Sequence, residues 1–129
     1  MLGKQADELT NVAVRPKRSR TYMTSRAFWE VVDRLQLRDA DALCLIDCPG
    51  KIKGPYKRPR LHLTLRQAWL AGYLLKIEAA LQASSRSPEW LQKPNRAALF
   101  SGRAPIKLMT DRLGEGATEV LRFLTTPRK

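Results

Sequence analysis

One long apolar stripe constrains the fold more than any other feature of the sequence. In LTLRQAWLAGYLLKIEAALQASS, apolar residues recur every three or four positions after Thr64, which can act as a cap. They are Leu65, Trp69, Leu70, Tyr73, Leu74, Ile77 and Leu81. This spacing predicts a helix near residues 64–84, with Trp69 and Tyr73 packed in the core. Gly72 costs such a helix about 1 kcal/mol relative to alanine, so we expect it to allow close approach of another helix.

Two shorter helical patterns precede this helix. The first is capped by Thr24 or Ser25 and carries apolar residues at helical spacing. These residues are Phe28, Val31, Val32, Leu35 and Leu37. The second is capped by Asp39 and stops at the Pro-Gly pair of residues 49 and 50. Two short helices in succession indicate the start of a helix-turn-helix, whose next element would be a recognition helix.

That next element is interrupted in this sequence. Gly54, Pro55 and Pro59 fall within it, and a proline inside a helix costs about 3 kcal/mol. We therefore expect an extended or single-turn basic loop that contacts phosphates without reading bases.

Three short helices are predicted after the long one. The first covers about residues 88–92, and the second begins at Pro105, which suits the first helical position. The third covers about residues 117–125. Asn95 and Gly102, between the first two, tolerate positive φ. No window shows sustained alternation at period two, so the predicted fold is all-α.

The patterns also divide the chain. Residues 1–22 lack an apolar period and are predicted to be a flexible basic arm. Residues 23–63 would form a small N-terminal helix-turn-helix-like unit, a degenerate DNA-binding unit. Residues 64–129 would form a C-terminal helical domain, with the N-terminal unit packed on it or joined to it.

Charge indicates a polyanionic partner. The chain has 24 Lys and Arg against 12 acidic residues, a formal net charge of +12. Two blocks, in residues 15–26 and 51–66, contain no acid. Such runs are often solvated surface or a disordered tail, but two of them around a small helical unit favour nucleic acid. The predicted DNA-binding residues are Arg15, Lys17, Arg18, Arg20, Lys51, Lys53, Lys57, Arg58 and Arg60.

Catalytic and metal-binding patterns are missing from the sequence. Cys44 and Cys48 with the lone His62 do not make a four-ligand zinc site. If residues 40–48 are helical, both thiols share one face and are small core residues. Without paired acids or a nucleophile beside a base, we expect no enzyme, cofactor or metal. The sequence also lacks a long apolar run and a signal peptide, so a reducing cytoplasm is expected.

A motif in the C-terminal half resembles a known family. The pattern is Trp-Leu, Pro-Asn, an apolar pair with Phe, Gly-Arg and Leu-Met. It is formed by Trp90, Leu91, Pro94, Asn95, Leu99, Phe100, Gly102, Arg103, Leu108 and Met109. It resembles the toxin-binding domain of Xre/MbcA/ParS-type antitoxins, over roughly residues 64–129.

The resemblance implies an all-α antitoxin that neutralises a RES-domain toxin, a NAD-degrading protein, and binds its own operator DNA. The C-terminal domain would cover the toxin, and the last residues would approach its NAD pocket. The toxin-binding residues would be Trp90, Asn95, Arg103, Arg122, Phe123, Arg128 and Lys129. Trp90, Asn95 and Arg103 could equally be architectural.

Two further questions stay open in the sequence. The prolines after the second helix depart from the family's helical recognition segment and put sequence-specific operator binding in doubt. A nucleic-acid-binding module or transcriptional regulator without a toxin partner is the alternative function. We also expect a homodimer or a higher complex with the toxin, for which the Trp69 and Tyr73 stripe would serve as a surface if it were not core.

Overall fold

The computed structural model describes residues 23–48 and 58–126 of the 129-residue chain. The α-helices are α1 (Ser25–Arg34), α2 (Asp39–Leu45), α3 (Leu65–Ala83), α4 (Pro105–Asp111) and α5 (Glu115–Thr125), and a 3₁₀ helix (Pro88–Gln92) lies between α3 and α4. No strand occurs within these two ranges, so the all-α prediction is confirmed.

The N-terminal helices begin close to the predicted caps. The Thr24 hydroxyl accepts a hydrogen bond from the Ala27 N–H at 3.0 Å, which decides between the two predicted caps of α1. Asp39 is the first residue of α2 and not its cap, a position held by Arg38. An acid in the first turn still favours the helix, because its charge opposes the positive end of the helix dipole.

The second helix is shorter than the cysteine prediction required. It ends at Leu45, and Asp47 adopts a left-handed φ of 60° before Cys48. The two cysteines therefore do not share a helix face, and that prediction was wrong. Cys44 and Cys48 are both free and half-buried, and Cys48 packs against the core.

The long helix α3 begins with a reciprocal capping box. The Thr64 hydroxyl accepts from the Gln67 N–H at 3.1 Å, and the Gln67 side chain accepts from the Thr64 N–H at 3.0 Å. Each bond satisfies a backbone donor that the first turn would leave unpaired. The buried face of α3 consists of Leu70, Ala71, Leu74, Ile77, Ala80 and Leu81.

The outer face of α3 departs from the sequence prediction. Trp69 is 57% exposed and Leu65 62% exposed, so the prediction that Trp69 is a core residue was wrong. Tyr73 is half-buried, and its hydroxyl accepts a hydrogen bond from Thr118 at 3.0 Å. A Cβ built on Gly72 would meet no atom within 4 Å, so Gly72 does not mark a close helix contact within the chain. Apolar residues of α3 extend beyond its buried face, since Leu65, Trp69 and Leu75 remain exposed.

The C-terminal helices lie where the sequence predicted them. The 3₁₀ helix has the predicted bounds, Pro105 occupies the first turn of α4, and α5 starts two residues earlier than expected. The close helix approach occurs at Gly116 instead of Gly72. A Cβ on Gly116 would lie 2.2 Å from the backbone oxygen of Leu108, so α4 and α5 pack with almost no space between them.

One apolar core joins the two halves of the chain. Helix α3 packs against α1 and α5, while α4 contacts α2, α5 and the 3₁₀ helix. Phe28 and Leu43 from the N-terminal half belong to the same buried cluster as Ile77 and Met109. A third helix of a helix-turn-helix would fall mainly on residues 49–57, which lie outside the described residues, and residues 58–64 are irregular. No helix within 23–48 or 58–126 has the length and apolar character to cross a bilayer.

Candidate protein-binding site

An aromatic cluster, formed by Trp90, Phe100 and Phe123, holds the 3₁₀ helix against α5. The rings of Trp90 and Phe123 stack with centroids 5.9 Å apart. Phe100 meets Phe123 edge-on at 5.1 Å and Trp90 at 5.8 Å. The Arg86 guanidinium lies over the Trp90 ring, 5.4 Å from its centroid. Such aromatic pairs stabilise a fold by about 0.5–1.5 kcal/mol beyond the effect of their burial. The first role of Trp90 and Phe123 is therefore to stabilise the packing of the 3₁₀ helix on α5.

A loop closed by its own hydrogen bonds follows the 3₁₀ helix. The Asn95 N–H donates to the Arg103 oxygen at 3.1 Å, and the Gly102 N–H donates to the Asn95 oxygen at 2.7 Å. The Asn95 side chain accepts from the Ala97 N–H at 2.9 Å. Gly102 has a φ of 85°, which favours glycine. Asn95 does not have the positive φ that the sequence allowed, because its side chain and backbone instead close the loop on itself.

Arg103 joins this loop to α4. Its guanidinium pairs with Asp111, the last residue of that helix. The side chains of Arg103 and Asp111 are 57% and 49% exposed. The ion pair fixes the orientation of Arg103 while leaving part of the guanidinium accessible. A backbone hydrogen bond thus joins Asn95 to Arg103. Both residues lie in the sequence between Trp90 and Phe123 of the aromatic cluster.

A groove lies beside the cluster, between the C-terminal ends of α3 and α5. We call it the C-terminal groove. It has a volume of about 1040 Å³ and is lined by Ala80, Ala83, Ser84, Arg86, Phe123, Leu124, Thr125 and Thr126. Phe123 contributes to both the cluster and the groove. The groove therefore combines an apolar floor with one cation and several hydroxyl groups.

The exposed side of α5 separates into a paired and an unpaired part. Arg112 pairs with Glu115 at 3.1 Å and with Glu119 at 3.4 Å, which offsets the acids of α5. Arg122, which lies one helical turn after Glu119, is exposed and has no ion-pair partner within the described ranges. It lines a shallow depression with Leu99, Glu119, Phe123 and Thr126. The predicted contact residues Arg128 and Lys129 lie outside the described residues.

The predicted DNA-binding residues fall into three groups: one in structural ion pairs, one exposed, and the others outside the described residues. Arg58 donates to Asp33 at 2.6 Å and to Asp39 at 2.9 Å, and its guanidinium lies 4.6 Å from the Trp29 ring centroid. The Trp29 indole N–H donates to the Pro59 oxygen at 3.0 Å. Arg58 is thus committed to holding residues 58–60 against α1. Arg60 is exposed and forms no ion pair with a described residue. The remaining predicted residues, Arg15, Lys17, Arg18, Arg20, Lys51, Lys53 and Lys57, lie outside the described residues.

These hydrogen bonds between charged side chains shift the pKa values of Asp33, Arg34 and Arg58. The hydrogen bond from Arg58 lowers the pKa of Asp33 below its ordinary value, and hydrogen bonds to Asp33 and Asp39 raise the pKa of Arg58. A hydrogen bond to Glu78 raises the pKa of Arg34. These shifts keep Asp33, Arg34 and Arg58 charged at neutral pH, so the contacts are structural ion pairs. Among the described residues no three His, Cys, Asp or Glu side chains are grouped to hold a metal ion.

Sequence reasoning favoured a core position for Trp69, with a surface as the alternative, and it did not single out the other exposed apolar residues. Leu65, Trp69, Leu75 and Leu99 are the large apolar side chains that remain exposed in the described ranges. The signal available in the sequence was that the apolar residues of α3 extend further around the helix than one buried face requires. Neither a family model nor a curated protein matches this chain.

Proposed function

We propose that this chain is an antitoxin that binds and neutralises a RES-domain, NAD-degrading toxin. One observation supports this most: the aromatic residues of the resemblance motif pack on α5 beside an open groove. Trp90 and Phe100 pack on Phe123 of α5, and the groove lies directly beside them. Neutralisation would be by binding, with no catalysis by the antitoxin.

The contact surface would be the end of α5 and the C-terminal groove. Arg122 offers an unpaired cation there, and Leu99 adds apolar surface that is 37% exposed. The last residues of the chain, with Arg128 and Lys129, follow α5 directly. A pocket that accepts NAD must accommodate phosphate, which attracts cations. The cationic end of the chain therefore suits a segment that enters such a pocket.

The test is whether a gene beside this one encodes a RES-domain protein, followed by co-expression of that protein with the full chain. We expect a stable complex, and loss of the partner's NAD consumption when the full chain is present. Arg122→Glu should weaken the complex, because it reverses the unpaired charge at the end of α5. Lys107→Glu is the matched control, since Lys107 is an exposed cation on α4 that lines neither the groove nor the depression that contains Arg122. No complex with that neighbour, or equal effects of the two variants, would refute the proposed site.

A nucleic-acid-binding role is the second candidate, alone or as operator binding by the antitoxin. Its support is the distribution of charge. Residues 1–22, 49–57 and 127–129 together contain ten of the 24 basic residues but only two of the 12 acids. Residues 23–48, which include α1 and α2, have three arginines and five acids. Phosphate contacts would therefore come from the basic segments and not from the surfaces of α1 and α2.

A further inference from the structure

The two acid-free basic blocks of the sequence, residues 15–26 and 51–66, meet at one cleft in the fold. We call it the N-terminal cleft. It has a volume of about 620 Å³ and is lined by residues 23–26, Trp29 and residues 58–63. Every lining residue except Trp29 therefore belongs to one of the two blocks. The blocks lie far apart in the sequence, and only the fold brings them to the same place.

Two hydrogen bonds hold the blocks together at this cleft. The Trp29 indole N–H donates to the Pro59 oxygen at 3.0 Å, and the Leu61 N–H donates to the Ser25 hydroxyl at 2.9 Å. Leu61 and Leu63 are buried and anchor the second block to the core. The meeting of the two blocks is therefore a property of the fold.

The lining of the N-terminal cleft is basic and contains no acid. Arg26 and Arg58 are paired with carboxylates that lie outside the lining. Arg60 and His62 are exposed, and neither forms an ion pair with a described residue. These two side chains are thus available to an anion that enters the cleft.

We propose that the N-terminal cleft is the centre of one phosphate-binding site, at which both basic blocks contact the same stretch of a nucleic acid. The proposal rests on the nucleic-acid-binding role and gives that role one site per chain, with Arg60 at its centre. Duplex DNA carries one negative charge per about 1.7 Å of its axis, so one duplex can contact the cleft and both blocks together. A membrane surface is less suited, because none of the large exposed apolar side chains lines the cleft.

A shared site makes the two blocks act together. Once one block holds a duplex, the other binds the same duplex intramolecularly, at a high effective concentration. Loss of charge from either block should then weaken a single binding event. Two separate sites would instead bind two duplexes, and loss of charge from one block would leave the affinity of the other site unchanged.

Titration calorimetry of the full chain with a duplex of about 12 base pairs tests whether the site is shared. We expect no more than one duplex per chain. Replacing either the four basic residues of 15–20 or the three lysines of 51–57 with Gln should lower the affinity of that one event at least about tenfold. Two duplexes per chain, or a variant that loses one event while the other keeps its affinity, would overturn the shared site.

Arg60→Gln tests the place of the site. It should make the slope of log affinity against log salt shallower by about 0.9, the contribution of one phosphate. Arg96→Gln is the matched control, since Arg96 is an exposed arginine outside the cleft, and it should leave the slope nearly unchanged. Equal effects of the two variants would remove the cleft from the contact.

Two further outcomes separate this proposal from the role on which it rests. A duplex that does not bind the full chain even at low salt would refute nucleic-acid binding itself. Binding to phosphatidylserine vesicles that the duplex does not displace would show that the basic blocks contact a membrane surface instead. Displacement of the chain from such vesicles by the duplex is the result that the proposal predicts.

Discussion

At the scale of single residues, Arg58 shows that a cation within a basic block can be held by contacts inside the fold. Its sequence neighbours suggested a phosphate contact, but two carboxylates and an indole ring occupy its guanidinium. Sequence gives the charge of Arg58 but not its distance to Asp33 and Asp39, which lie 25 and 19 residues away. Asn95 was easier to anticipate, because an asparagine before a tight loop commonly bonds to the backbone two residues on.

Arg58→Met should destabilise the fold by about 1 kcal/mol, since a partly exposed ion pair is screened by solvent. The methionine keeps an apolar stem over Trp29 but removes the charge. Asp33 has a lowered pKa in the folded chain, so its contribution is present above the ordinary value of 3.8 and is lost as pH falls through the lowered value. The difference between wild type and Arg58→Met should therefore shrink below about pH 4. Urea unfolding at pH 7 and pH 3 measures it, with Arg60→Met as the control; a difference that is equal at both values would contradict the ion-pair explanation.

At the scale of elements, periodicity predicted the helices well and their packing partners less well. The bounds of the 3₁₀ helix, the start of α4 at Pro105 and the length of α3 all followed from local patterns. Local patterns show which residues share a face, but they do not show which face another helix covers. The core position of Trp69 and the close approach at Gly72 were therefore wrong, while the close approach at Gly116 was not anticipated.

The two helical glycines should respond in opposite ways to the same substitution. Gly116→Ala would place a Cβ 2.2 Å from the Leu108 oxygen, which is backbone and cannot move without shifting α4. We expect a loss of about 1–3 kcal/mol or more. Gly72→Ala meets no atom and replaces a poor helix former, so it should raise monomer stability by up to about 1 kcal/mol. Thermal unfolding at low protein concentration compares the two, and a shift of the same sign for both would contradict the difference in packing between Gly116 and Gly72.

At the scale of the whole molecule, the core crosses the boundary that the sequence suggested near residue 63. Charge and motif changes marked that boundary, and burial does not follow it: α2 packs on α4, and Cys44 approaches the backbone oxygen of Thr110 at 4.0 Å. A pattern-based boundary records where composition changes. Whether the two parts unfold together depends on the contacts between them, which no single segment of sequence contains.

Leu43→Ala tests whether the described residues unfold as one unit. Leu43 lies in α2 and is 1% exposed in the shared core, so its truncation should cost about 2–5 kcal/mol. Because the core is shared, the Trp90 region should unfold at the same lower denaturant concentration as α1 and α2. Fluorescence of chains that keep only Trp29 or only Trp90 follows the two regions separately. An unchanged midpoint at Trp90 would show that the C-terminal helices fold independently.

Charge at this scale predicts how the chain should bind DNA. The basic segments outside the described ranges contain most of the excess positive charge, and each neutralised phosphate contributes about −0.9 to the slope of log affinity against log salt. Affinity should fall steeply with salt, with modest preference for an operator over random duplex.

Replacing Lys51, Lys53 and Lys57 with Gln should make the slope shallower by up to about 3 units. The same change at Lys76, Lys93 and Lys107, which removes equal charge from α3, the loop and α4, should alter it less. Fluorescence anisotropy over a salt series decides this; equal changes in slope for the two triple variants would mean that net charge alone, and not the basic segment, contacts the phosphates.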